Sequence, residues 1–128
     1  MSDPGAKTRR VWHVTPKTAA TRILRGGLQP RIGPRSKAAG ETVPAVFCFP
    51  SRDACEDALG SWLADVFEDV ADGGLLIFEI DLPRELPTRS HTGYEIEVHA
   101  SIPPACIRTV WNENWTRSIR HSAMLNSH

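Results

Sequence analysis

Apolar positions alternate every second residue in several stretches of the chain and recur every three to four residues in two others. RRVWHV at 9–14 sets Val11 and His13 on one face and Trp12 and Val14 on the other, which predicts a first strand. A helix is predicted directly after it, with Thr15 as N-cap, Pro16 in the first helical position and Ala20, Ile23 and Leu24 as the buried stripe. Gly26-Gly27 ends that helix, and Leu28 returns to the core. PAVFCF at 44–49 predicts a second strand. A second helix is predicted from a Ser51 N-cap to about Asp72, because Ala58, Trp62, Val66 and Val70 recur at four-residue spacing. Its other face carries Asp57, Asp65, Glu68, Asp69 and Asp72, the usual pattern of a solvated face.

LLIFEIDLP at 75–83 is the clearest strand, with Leu76, Phe78, Ile80 and Leu82 on one side. GYEIEVHASIPP at 93–104 alternates strictly, so Tyr94, Ile96 and Val98 face the core and Glu95, Glu97 and His99 share the opposite face. CIRTVW at 106–111 is a short further strand. Residues 29–43 and 84–92 lack an apolar period and read as loops; the first is long, with prolines, glycines and cations. Two strand–helix pairs followed by three strands predict an α+β fold rather than a doubly wound sheet. The expected organisation is a flexible segment at 1–8, one domain at 9–111, and a tail at 112–128 with no clear period.

Composition narrows the classes. A chain of 128 residues with 41% hydrophobic and 23% charged residues is long enough for one core without staples. Formal net charge is zero, so no overall basic field draws it to nucleic acid or anionic lipid. Three cysteines, an odd number without a CxxC pair, argue against a disulfide framework and a zinc ribbon, and no metal site is expected. No apolar run reaches the about 20 residues of a membrane span, and the N-terminus has no apolar stretch of the signal-peptide kind. A cytoplasmic protein without membrane partners is therefore expected; oligomeric state is not readable.

Three places carry candidate chemistry. His13 lies in a strand just before a helix, where a lone histidine is more often structural than chemical. Glu95 and Glu97 repel each other unless a cation or substrate lies near them, and their bland reading is a solvent-facing sheet edge. Arg31 and Arg35 sit in the long loop, where guanidinium and backbone donors can hold a phosphate, although surface arginines are usually only solvated.

In order along the chain, these segments resemble the ADP-ribosyltransferase superfamily. HVTPKTAATRILRGGLQPRIGPRS (13–36) is similar to its opening segment, a histidine, one residue, a threonine or serine, and a helix ending in an Ile-Leu-x-x-Gly-Leu phrase. VFCFPSRDACEDAL (46–59) resembles its middle strand–helix segment, and YEIEVHASIPPACI (94–107) its last strand, where the glutamate precedes an Ile-Pro turn. The resemblance covers about residues 10–110 and is nearest to the toxins that modify DNA bases, and more remotely to RNA 2′-phosphotransferases.

It implies a split β-sheet core with two main helices and NAD⁺ as substrate. His13 matches the histidine that hydrogen-bonds a ribose of NAD⁺, with Thr15 beside it. Phe47 or Phe49 takes the aromatic position against the nicotinamide; no tyrosine stands there, a departure from the His-Tyr-Glu pattern. Glu95 matches the catalytic glutamate, and Glu97 is the rival because some members use the second acid of a Glu-x-Glu pair. Arg35 matches a pyrophosphate or base contact. The implied activity is transfer of ADP-ribose to a macromolecular acceptor, whether protein, DNA or RNA. Two alternatives share the scaffold: an NAD glycohydrolase, and a non-catalytic interaction or inhibitor module. RNA 2′-phosphotransfer fits less well, since paired glutamates are unhelpful beside a phosphate.

Overall fold

A computed structural model describes residues 7–31, 43–67, 74–91 and 95–119. The fold is α+β, built on two small antiparallel sheets. Four strands make the first, in the order β1 (Thr8–Pro16), β3 (Leu75–Pro83), β6 (Ile107–Asn112) and β7 (Arg117–Ile119). The second has the order β2 (Val46–Cys48), β5 (Glu95–Val98) and β4 (Thr88–His91). The sheets meet at an antiparallel bridge, where Trp12 and Phe49 exchange backbone hydrogen bonds of 3.0 and 2.7 Å.

Strand β3 anchors both sides of the first sheet. Leu76, Phe78, Ile80 and Leu82 share a core with Val11 of β1, the inner faces of β2 and β5, and Ala20, Ile23 and Leu24 of helix α1 (Ala20–Gly26). Leu75 and Ile77 point the other way, into a second core with Val14, Phe49, Cys55, Ala58, Leu63 and Phe67. That core is covered by helices α2 (Arg52–Leu59) and α3 (Leu63–Val66).

The structure departs from the sequence-based expectation at five places. Thr15 is not a helix N-cap: the β1–β3 ladder continues through Thr15↔Leu76 and Pro16↔Leu75, so the chain is still a strand there. A 3₁₀ turn at Lys17–Ala19 separates it from α1. The expected single helix from Ser51 ends at Leu59 and resumes at Leu63. Ser51 does cap it, its Oγ accepting from the Ala54 amide at 3.1 Å, a contact worth about 1 kcal/mol. The break comes at Gly60-Ser61, where Ser61 Oγ donates to the Asp57 carbonyl at 2.6 Å and competes with the helical ladder. Cys55, Leu63 and Phe67 are buried there, while Trp62 and Val66 are only half-buried. The proposed helix end near Asp72 lies outside the described residues.

Strand β4 occupies part of the segment expected as a loop, 84–92. TRSH has no apolar alternation: it is an edge strand of its sheet, and Thr88, Arg89 and Ser90 are exposed polar residues of the kind that protect an edge against further strand pairing. The segment expected as a tail contains β7, joined to β6 by a turn in which Asn112 Oδ1 accepts from the Asn114 and Thr116 amides, each at 2.9 Å. Trp115 holds a φ of 59° in that turn, a conformation rare for a bulky residue, and Arg52 stacks 4.2 Å over its ring. The fifth departure concerns the two glutamates of β5. Among the described residues, no helix is long and apolar enough to cross a membrane.

Candidate functional site

The alternation read from the sequence holds along β5, since Ile96 and Val98 join the first core and Glu95 and Glu97 take the other face. Their predicted setting does not hold. Glu95 is 2% and Glu97 6% exposed, and β5 is the centre of its sheet, paired on both sides. With Thr15 they are the buried polar or charged residues of the described chain. Moving an ionised carboxylate out of water costs several kcal/mol unless partners offset it, so two on one short strand are rarely kept for stability.

The strand register builds the surroundings of this pair. Phe47 of β2 and Arg89 of β4 are both Cα partners of Glu97, so a ring and a guanidinium flank it on the same sheet face. Phe47 is itself buried, and Glu95 stands opposite His91. His99 continues the face, its Nε2 lying 3.4 Å from Glu97 Oε1, and its amide donates to the Pro87 carbonyl at 2.9 Å.

His13 meets this group through β2. Its Nδ1 lies 2.8 Å from the Phe47 carbonyl. A carbonyl can only accept, so Nδ1 carries the proton, and the neutral ring presents Nε2 as an acceptor. Burial pushes the His13 pKa below its ordinary value of 6.5; the Arg22 charge adds to this, and the bond to Phe47 opposes it. Phe47 is the hydrogen-bond partner described for His13, and neither carboxylate takes that place.

This arrangement has a measurable consequence. The unfolded chain takes up a proton at His13 near pH 6.5, whereas the folded chain resists it to lower pH. Stability therefore falls as pH drops through about 6.5 and stops falling, for this group, once the folded histidine is also protonated. His13→Asn is expected to flatten this dependence in urea unfolding measured between about pH 7.5 and 5. An unchanged slope would contradict the neutral, half-buried imidazole.

The remaining sequence candidates fall in different places. Thr15 is buried inside β1. Phe49 is 2% exposed and packs against Trp62 in the second core, ring centroids 6.5 Å apart, so Phe47 is the β2 aromatic beside the carboxylates. Arg35 lies outside the described residues. His99, Arg89 and Arg22 were not singled out from the sequence. For His99 the signal was present, since strand alternation already set it with the two glutamates.

Cysteine chemistry is not offered by this site. Burial and, next, the nearby Glu95 charge push the Cys48 thiol far above its ordinary range, and burial pushes Cys55 up to about 12, so both remain thiols at neutral pH. Among the described residues, no group of three or more His, Cys, Asp or Glu side chains is placed to hold a metal ion. No protein-family model matches the chain, and no curated protein matches it.

Proposed function

We propose that the chain is an NAD⁺-dependent ADP-ribosyltransferase with a split-sheet core, which cleaves the nicotinamide–ribose bond and passes ADP-ribose to a protein or nucleic-acid acceptor. The observation that carries this reading is the burial of Glu95 and Glu97 on the central strand β5, beside Phe47, whose carbonyl holds the imidazole of His13. These are the residues on which the sequence resemblance rests, and their burial was not legible in the alternation that located them.

Each residue type suits the chemistry. NAD⁺ brings a glycosidic bond whose breaking develops positive charge on the ribose, as in glycoside hydrolysis. A carboxylate held in a dry site stabilises such charge more strongly than one in water, which fits Glu95. Phe47 offers a flat apolar surface to the neutral nicotinamide ring. Nε2 of His13, an acceptor because Nδ1–H is engaged, suits a ribose hydroxyl and fixes its orientation. Glu97, with His99 at its carboxylate, is the group we assign to orienting or deprotonating the acceptor.

Labelled NAD⁺ incubated with the purified protein and cell lysate tests the reading. Label carried into macromolecules supports a transferase. Free ADP-ribose with no labelled macromolecule replaces it with a glycohydrolase, and intact NAD⁺ replaces it with a non-catalytic module.

A further inference from the structure

His99 follows the last residue of β5, and its place is set by backbone rather than by its ring. Its amide donates to the Pro87 carbonyl at 2.9 Å, which carries the pairing with β4 one residue past the Thr88–Val98 pair. Two residues beyond Glu97, its side chain therefore stays on the carboxylate face. Nε2 comes to 3.4 Å from Glu97 Oε1, just beyond the usual hydrogen-bond length, as such contacts often are before a substrate binds. The two side chains differ in their access to water, 8% of Glu97 being exposed and 29% of His99.

The groups described around this pair are less suited to carrying a proton from Glu97 to water. Arg89, opposite Glu97 on β4, is exposed, but a guanidinium does not give up its protons. Glu95, two residues back on the same face and opposite His91 in register, is 2% exposed and offers no path outward. His13 resists protonation because of its burial, and its Nδ1 is committed to the Phe47 carbonyl. His99 combines an imidazole, a group that exchanges protons near neutral pH, with a side chain that reaches water.

The proposed function, on which this inference rests, produces such a proton. Attack of an acceptor X–H on NAD⁺ forms the C1′–X bond and breaks the C1′–N bond, whose electron pair leaves with neutral nicotinamide. Charge balance then releases the proton of X, and water as acceptor releases one equally. Glu97, once it has taken that proton, must lose it before the next turnover. We infer that His99 is the proton exit of Glu97: Nε2 of the neutral ring takes the proton from Oε1, and the imidazolium gives one to water. His99 acts through Glu97 rather than on the acceptor, so it is a positioning residue with a proton to carry.

Labelled NAD⁺ with cell lysate, followed as ADP-ribose on macromolecules and in free form, tests the relay on wild type, His99→Ala and His99→Gln, with and without added imidazole. Glutamine can donate to Glu97 but does not carry a proton, whereas alanine leaves room for imidazole at a partly exposed position. Both variants, shown to be folded by urea unfolding, are expected to lose at least about tenfold in product formation, below the roughly 10²–10⁴ of a base acting on the acceptor itself. Imidazole is expected to restore His99→Ala, and in a Glu97→Gln background His99→Ala is expected to cost nothing further. Full activity in both His99 variants overturns the relay. Recovery with glutamine alone, a loss in His99→Ala that imidazole leaves unchanged, or an equal loss in the Glu97→Gln background also overturns it. A wild type that forms neither product removes the proposed function and the relay with it, whereas wild-type turnover indifferent to His99 removes the relay alone.

Discussion

Glu95→Gln is expected to slow nicotinamide release from NAD⁺ by about 10²–10³, the usual loss when an electrostatic stabiliser of a developing charge is removed. Glutamine keeps the size and planar shape of the side chain, which matters at a position 2% exposed, while it removes the negative charge and turns one acceptor oxygen into an NH₂ donor. The near-isosteric swap opens no cavity, so whatever stability is lost comes from the charge and its partner rather than from packing, and the unfolding curves read that loss directly. Glu97→Gln is expected to behave differently. Assigned to the acceptor and placed against His99, it should reduce label transfer while sparing nicotinamide release. Both variants are checked by release and transfer assays beside urea unfolding curves. A folded Glu95→Gln protein with the wild-type release rate would remove Glu95 from catalysis, and the converse pattern would make Glu97 the catalytic acid.

Gly27→Ala is expected to destabilise the protein by about 3 kcal/mol or more. Gly27 ends α1 with φ 81° and ψ −172°, a region open essentially only to glycine. A Cβ there would lie 2.2 Å from the Ile102 carbonyl oxygen, and that carbonyl is the one that accepts from the Leu28 amide at 2.9 Å. Relieving the clash means breaking the Leu28–Ile102 bridge, which ties the end of α1 to the segment between β5 and β6. Gly26→Ala is the control, since a Cβ at Gly26 meets nothing within 4 Å and its backbone is helical. It should be close to neutral or slightly stabilising. Equal midpoints for the two alanine variants in chemical denaturation would show that the close approach does not constrain the fold.

The two glycines also show how far the sequence could be read. Gly26-Gly27 marked the helix end from composition alone, but which glycine is indispensable depends on Ile102, about 75 residues away, and no local pattern carries that. The strands that alternate strongly, β1, β3 and β5, were legible because a buried face forces a period of two. β4 was not, because TRSH is held by pairing with β5 rather than by burial. The break in the helix after Ser51 is not legible because four-residue spacing continues past Gly60-Ser61, where side-chain bonding to the backbone wins over the helical ladder.

The candidate site divides in the same way. Alternation placed Glu95, Glu97 and His99 on one face correctly, because that depends only on the strand. It could not show that β5 is a central strand, so the carboxylates read most simply as a wet edge. The His13–Phe47 bond joins residues far apart in sequence. It exists only once β2 is seated beside β1.

Nicotinamide release from NAD⁺ by the purified wild-type protein, measured with and without cell lysate, tests the proposed activity most directly. Release that rises when lysate supplies an acceptor is expected. Intact NAD⁺ under both conditions, from protein shown to be folded, would contradict it.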